Sequence, residues 1–277
     1  MKVIFPFSYY YPEQCAGIFV VDDLMHRLAA EGDESVIYVP TPTRNVREGV
    51  EWKRKEVHCD DKMVVKRFRM YGEGKNPLLR ALRYCFCELV YLHHLLCDKY
   101  DVAFIDSTPP IQGLKLPIVR LFRKCPVVYN AQDLFPDTLS GTGLAKKGGL
   151  LWKIGSWVAR VTFNNTDKII AISEYIKRTL VEEKGIPADK VVVVYNWVDS
   201  DAVVPIAKEE NPLFEEFGLN REKFHVVYAG NLGNAQNINI VVDAAARLRD
   251  NENEEFVVFG SGGLESDIRA RIEAVGM

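Results

Sequence analysis

Apolar runs of strand length alternate with segments of helical period along most of the chain, and that alternation limits the fold more than any other feature. The runs fall at residues 2–6, 35–39, 63–69, 102–106, 127–131, 168–172 and 191–195. Between them Ile18, Val21, Met25 and Leu28 recur at three- and four-residue steps. Leu78, Leu82, Phe86, Leu89 and Leu96 do the same, and each set predicts a core-facing helical stripe. Strands without polar alternation are buried on both sides, so the pattern predicts an α/β fold with a mostly parallel sheet and helices on both faces. Ligands of such sheets bind at the carboxyl ends of the strands, which makes the loops after the strands the candidate sites. Residues 41–62, rich in charge and poor in periodicity, read as an exposed loop.

The run VVVVYNWVD at residues 191–199 closes this series, and about 25 residues later a second one begins. FHVVYAGN, a glycine turn, a helix, EEFVVFG, a second glycine turn and a last helix follow in order. We therefore expect a complete Rossmann-like domain over residues 1–203 and part of a second over 204–277. A strand-helix-strand unit takes roughly 30 residues, so the second stretch is too short to cover both faces of a sheet.

Composition narrows the function classes. With 48% apolar and 26% charged residues and a net charge of -3, the chain reads as an ordinary globular protein without a general attraction to nucleic acid. Its longest apolar stretch, residues 84–97, contains Glu88, His93 and His94 and is too short for a membrane span. No leader peptide is evident, so a cytoplasmic location is expected. The six cysteines lack a repeated C-x-x-C spacing and are expected to be reduced and mostly buried.

Three loops carry candidate chemistry. The first, residues 8–17, brings Gly17 to the start of a helix, where a ligand can approach backbone amides and the helix dipole favours an anion; a simple turn glycine is the alternative. In the second, YNAQDLFPD at residues 129–137, Gln132 and Asp133 stand at a strand's carboxyl end. Amides and carboxylates there suit sugar hydroxyls, and a helix cap at Asp133 or Asp137 is the alternative. The third, AGNLGNAQN at residues 229–237, has Gly230 and Gly233 free of side chains, with Asn231 and Gln236 as donors to a diphosphate. It lacks the G-K-[ST] ending of a nucleotide triphosphatase loop. The later turn at residues 260–263 fails the dinucleotide pattern at Glu265, which argues against a dehydrogenase, and contributes Gly262 as a further substrate-binding candidate.

Taken in order, YYPEQCAG, DSTPPIQGL, AQDLFPDT, DKIIAISEYIKRTL, VVVVYNWVD and FHVVYAGNLGNAQN resemble the family 4 retaining glycosyltransferases of the GT-B fold. The likeness is strongest to the branch that builds bacterial capsule, O-antigen and exopolysaccharide units, and it extends over essentially the whole chain. It implies two Rossmann-like domains on either side of a cleft, with the acceptor on the N-terminal side and the nucleotide diphosphate sugar on the C-terminal side. It also implies transfer with retention, no cofactor and no divalent metal. By position, Asp133 would sit beside the transferred sugar as the catalytic candidate. The Gly17 loop would border sugar and acceptor, and the Gly230–Gly233 turn would face the diphosphate.

Departures from the family pattern bear on mechanism. Gln132 stands where many relatives have histidine, so a proton-shuttling histidine is excluded at that position. The first glycine turn of the second domain carries asparagines and glutamine in place of arginine and lysine, and the family's paired glutamates would lie beyond Met277. The short chain alone is accordingly expected to transfer weakly or not at all. A non-catalytic partner subunit completed by a second chain is the alternative; an epimerase would need a carboxylate pair that the sequence does not display. Acceptors of this branch are usually polyprenyl-linked, which implies peripheral contact with the inner face of a membrane. Arg120, Arg123, Lys124, Lys146, Lys147, Trp152, Lys153, Trp157 and Arg160 are the candidates for it, against a helix that buries its tryptophans and solvates its lysines.

Overall fold

The first strand, β1 (Lys2–Pro6), shows how an all-apolar run serves two cores. Val3 and Phe5 join one buried cluster and Ile4 the other, as the two-residue period of a strand requires. The computed structural model describes the chain except residues 44, 45, 47, 48, 73–75 and 142–145, and it forms two units, Met1–Trp197 and Val198–Met277.

In the first unit, β1 is followed by α1 (Ala16–Ala30), β2 (Glu34–Pro40), β3 (Lys55–His58), β4 (Met63–Phe68), α2 (Pro77–Cys97) and β5 (Val102–Asp106). A 3-10 turn over Pro110–Lys115 leads into α3 (Leu116–Phe122), β6 (Val127–Ala131), α4 (Asp137–Gly141), α5 (Leu150–Asn164), β7 (Lys168–Ala171), α6 (Glu174–Arg178) and β8 (Val191–Val193). The eight strands lie in the order β3-β4-β2-β1-β5-β6-β7-β8. All neighbours are parallel except β3 and β4. Strand order reverses at β1 and β5, the position at which open α/β sheets gather ligands.

All the strands expected from the apolar runs are present, with ends moved by a residue or two. α1 also presents the expected stripe, and Ile18, Val21 and Met25 are buried against one face of the sheet. Two expectations are corrected. The segment 41–62, read as a loop, contains β3, an edge strand paired antiparallel with β4 around Cys59, Asp60 and Asp61, all at positive φ. Its sequence KEVH lacks apolar alternation because it lies mostly open to solvent at the sheet edge. The remainder of that reading falls partly outside the described residues.

The second correction concerns α2. The expected core stripe of Leu78, Leu82, Phe86 and Leu89 faces outward, and the buried positions are Arg83, Cys87, Tyr91 and Leu95. Both sets satisfy the helical period; the sheet selects the second. Tyr91 is fully buried, and its hydroxyl donates to the carbonyl of Phe7 at 2.5 Å. Arg83 is buried with its guanidinium donating to the carbonyl of Tyr71. Hydrogen bonding satisfies the Tyr91 hydroxyl, whereas Arg83 is satisfied only in part, its Nη2 being buried without a partner among the described residues. The cysteines are unbridged, but Cys87 alone of the six is fully buried. Cys85 and Cys97 are exposed on α2, and Cys15 is exposed before α1, contrary to the expectation of mostly buried thiols.

The second unit contains α7 (Leu213–Glu216), β9 (Phe224–Ala229), α8 (Asn239–Arg247), β10 (Glu254–Phe259) and α9 (Glu265–Ala274). β9 and β10 pair in parallel through α8, and Leu232, Ile238, Val242 and Ile268 form the core beneath them. Phe224 and Val227 of β9 remain exposed on this two-stranded sheet.

Candidate functional site

Three loops of the first unit meet at the carboxyl ends of β1, β5 and β6. Ser8 Oγ donates to the carbonyl of Thr108 at 3.3 Å. The buried Gln112 stitches the same two loops, with Nε2 donating to the carbonyls of Pro6 at 3.2 Å and Thr108 at 3.0 Å. Lys115 holds Gln112 in turn. Its ammonium donates to the Gln112 carbonyl at 2.8 Å, to Gln112 Oε1 at 2.6 Å and to Glu88 Oε2 at 2.6 Å. Burial pulls the Lys115 pKa down while Glu88 opposes that shift. The edge of the sheet is thus set by a buried ion pair reaching from α2 to the 3-10 turn after β5.

Asp106, the last residue of β5, lies at the same edge and has its carboxyl shifted upward. Part of its surface remains open to solvent, yet dense packing around the carboxyl makes desolvation dominant and pushes its pKa up to about 7. The charge of Asp133 adds to the rise, while the amides of Ser107 and Thr108 and the side chain of Asn130 oppose it. Asn130 Nδ2 lies 3.5 Å from Asp106 Oδ1. Sequence reasoning passed over Asp106, which reads simply as the polar end of a strand; only the packing of β5 against β6 reveals its surroundings.

Asp133 lies just past β6, exposed and without a hydrogen-bond donor among the described residues. Asp137, the second carboxylate of that loop, pairs with Lys184 at 2.5 Å. Gln132 is held by a reciprocal amide pair, with its Nε2 donating to Asn196 Oδ1 at 3.1 Å and its Oε1 accepting from Asn196 Nδ2 at 2.8 Å. A further bond of 3.2 Å runs from Gln132 Nε2 to Asn130 Oδ1. The loop itself is supported from below by α5. A Cβ on Gly155 would lie 2.7 Å from Pro136 Cβ and 2.9 Å from the Phe135 ring, so only glycine allows this approach. Asp106, Asn130, Gln132, Asp133 and Asn196 therefore form one polar edge.

Gly17 occupies the first turn of α1, where a Cβ would meet nothing within 4 Å. Cys15 occupies the N-cap position and makes no side-chain cap bond. Beside it opens a depression of about 570 Å³ lined by Tyr11, Gln14, Cys15 and Phe19 among others. The segment after β8 is anchored to α1 by the indole of Trp197, which donates to Asp23 Oδ2 at 2.5 Å. A hydrogen bond from Arg27, opposed by desolvation and aided by the indole, holds the Asp23 carboxyl below the usual range.

In the second unit the two glycine turns lie against each other. The Gly230 amide donates to the carbonyl of Phe259 at 2.9 Å and the Leu232 amide to that of Ser261 at 2.9 Å. A Cβ on Gly262 would fall 2.4 Å from the Leu232 carbonyl oxygen, so the close approach of these backbones requires glycine. The Gly230 amide is therefore taken up by the neighbouring turn. The Gly233 carbonyl accepts from the Gln236 amide at 3.2 Å, and the exposed side chains of Asn231 and Gln236 converge on Gly233. Gly262 belongs to the support of this turn.

Among the described residues no cluster of three or more His, Cys, Asp or Glu side chains is arranged to hold a metal ion, and no helix is long and apolar enough to cross a membrane. The sequence profile of glycosyltransferase family 4 matches residues 19–202. The chain belongs to glycosyltransferase family 4. Among curated proteins similar to this chain, WcaI of Escherichia coli K12, named for a colanic acid biosynthesis glycosyl transferase, is 29% identical over 153 residues, 54% of this chain and 37% of its own. WbjE of Pseudomonas aeruginosa, named as a glycosyltransferase, is 24% identical over 205 residues, 73% of this chain and 50% of its own. The chain thus spans half or less of these relatives. Among solved structures, Anabaena HepE in complex with UDP and glucose superposes with a TM-score of 0.64 at 16% identity, covering 100% of this chain and 66% of that one. The sucrose-phosphate synthase of Thermosynechococcus elongatus gives 0.65 at 16% identity over 99% and 66%. These structures identify the fold as α/β of the GT-B glycosyltransferase type. A UDP-N-acetylglucosamine 2-epimerase shares it at a TM-score of 0.54, so fold alone does not distinguish family 4 transfer from epimerisation.

Proposed function

We propose that this family 4 chain transfers a sugar from a nucleotide diphosphate sugar to a glycan or lipid-linked acceptor in cell-surface polysaccharide synthesis, with retention of anomeric configuration. The observation that carries the reading is Asp133, an exposed carboxylate with no donor among the described residues at the ligand-gathering edge of a sheet whose sequence matches the family. An unengaged carboxylate accepts hydrogen bonds from sugar hydroxyls, and its charge favours positive character developing at the anomeric carbon. Gln132 is an amide in a closed pair and moves no proton. The proton of the acceptor hydroxyl therefore passes to the departing diphosphate, whose oxygens gain charge as the glycosidic bond breaks. In the second unit Asn231, Gln236 and the Gly233 backbone receive that diphosphate, and Gly230 with Gly262 shapes the turn. The Gly17 loop borders the acceptor. No cofactor or divalent metal enters this scheme.

The chain spans half or less of its curated relatives, and we expect the 277 residues alone to turn over slowly. A panel of UDP- and GDP-sugars is assayed with this chain by itself and within a longer polypeptide carrying its downstream sequence, with the product anomer read by NMR. Transfer with retention by the longer protein, reduced about a hundred-fold or more by Asp133→Asn, is the expected result. Inversion, or full activity of the Asn variant, overturns the assignment. Turnover only on addition of a separate polypeptide would support the partner-subunit alternative.

A further inference from the structure

Helix α5 divides its two tryptophans. Trp157 is 58% exposed, whereas Trp152 is half-buried and shares one helix face with Ser156, Ala159 and Phe163, as three- and four-residue steps require. Between that face and the turn that follows α6, residues 183–190, lies a cavity of about 470 Å³, which is within the size range of small-ligand sites. Trp152 Nε1 and Ser156 Oγ belong to side chains lining this cavity, and both atoms are buried without a partner among the described residues. A buried indole N–H ordinarily finds an acceptor and a buried hydroxyl a partner. Two unspent polar atoms beside one cavity mark a place for the oxygens of a ligand.

The charged part of the wall favours an anion. Lys147, Arg160, Lys184 and Lys190 line the cavity against two acids, Asp137 and Glu183, in a chain of net charge -3. Lys147 and Arg160 are exposed and engage no acid or carbonyl among the described residues. Lys190 donates to the Phe163 carbonyl at 2.5 Å, and burial pulls its pKa down against the charge of Asp167. A partly desolvated ammonium of this kind gains from a nearby anion. Lys184 differs, because Asp137 Oδ2 holds it at 2.5 Å. Asp137 and Pro136 reach the cavity from the loop that carries Asp133. A phosphate accepts from several such cations at once. An inorganic ion would leave most of 470 Å³ unfilled, and the two acids oppose a more highly charged ligand. A hydroxylated ring joined to one phosphate meets both limits, since its hydroxyls suit Ser156 and the Trp152 N–H and its apolar face suits the aromatic wall.

We propose that the cavity between α5 and the turn after α6 binds a sugar phosphate, whose phosphate competes with Asp137 for Lys184. Binding thereby reaches the loop that carries Asp133. It is measured without glycosyl transfer, so it stands or fails separately from the function proposed above. The test is isothermal titration of the chain with glucose 6-phosphate, inorganic phosphate and glucose. We expect one glucose 6-phosphate per chain, weaker binding of inorganic phosphate and none of glucose. Lys147→Glu combined with Arg160→Glu, both exposed positions, should weaken glucose 6-phosphate about a hundred-fold, with circular dichroism to check the fold. Trp152→Phe keeps a ring and removes the indole donor; it should weaken glucose 6-phosphate about ten-fold and leave inorganic phosphate unchanged. Asp137→Asn releases Lys184 and should tighten binding about five-fold. Asn231→Ala combined with Gln236→Ala, at the glycine turn of the second unit, should bind as the wild type does. Absence of saturable binding, equal affinity for glucose 6-phosphate and inorganic phosphate, or unchanged binding by the Lys147 and Arg160 variant overturns the proposal. Loss of binding in the Asn231 and Gln236 variant also overturns it, by locating the ligand elsewhere. Binding that Asp137→Asn leaves unchanged or weakens refutes the competition for Lys184.

Discussion

Asp106 and Asp133 lie at the ends of adjacent strands, yet packing gives them different roles. Asp133 is exposed and has no pairing partner among the described residues, while the carboxyl of Asp106 moves from an ordinary 3.8 to about 7 through desolvation. Between those values the folded protein retains a proton that the unfolded chain releases. Stability therefore falls as pH rises through that window and stays reduced above it. Asp106→Asn removes the titration. Its urea midpoint, compared with wild type at the two ends of the window, should improve with rising pH, and a difference independent of pH would contradict the protonated state. Asp133 and Gln132 were legible in sequence because a polar cluster after an apolar run marks a strand's carboxyl end. Asp106 was not, because its environment is made by the neighbouring strand and the turn that follows it.

Elements reveal a second limit of sequence reasoning. In α2 the leucine stripe and the set Arg83, Cys87, Tyr91 and Leu95 share one period and differ in phase. Hydrophobicity favours the leucines, and a buried arginine gives no advance signal, since its carbonyl partner lies in another segment. β3 was missed for the opposite reason: a four-residue edge strand with charged side chains follows its hairpin turn and not a buried pattern. What α2 does bury includes the Glu88 partner of Lys115, a contact that fixes the loops of β1 and β5. Lys115→Ala strands a carboxylate in a closed space and should cost about 3–5 kcal/mol, whereas Lys115→Met combined with Glu88→Leu should cost far less. Urea unfolding of the two proteins checks the ordering. Equal losses would show that volume, not charge, is what the site requires.

At the scale of the molecule, the alternation of runs and helical segments was enough to give the parallel sheet, and the structure forms two units, Met1–Trp197 and Val198–Met277. Their separate cores predict separate responses to damage. Gly262→Ala drives a methyl group into the Leu232 carbonyl and should destabilise the second unit by about 1–3 kcal/mol. Hydrogen exchange should quicken in β9 and β10 and remain unchanged in β1 and β5. Uniform quickening would mean that the two units unfold as one. The sequence did mark the glycines of both turns. It did not show that Gly230 spends its amide on Phe259, because that bond depends on the distance between two backbones.

The sulfur at Cys15 leaves the mouth of α1 without an acceptor of its own. Serine differs by one atom and is among the residues that most readily close such a mouth. Thermal endurance was therefore within reach of a single exchange, and at this position the chain forgoes it. For an engineer, position 15 is a dial between a helix that seals itself and one that leaves its first turn uncapped by a side chain.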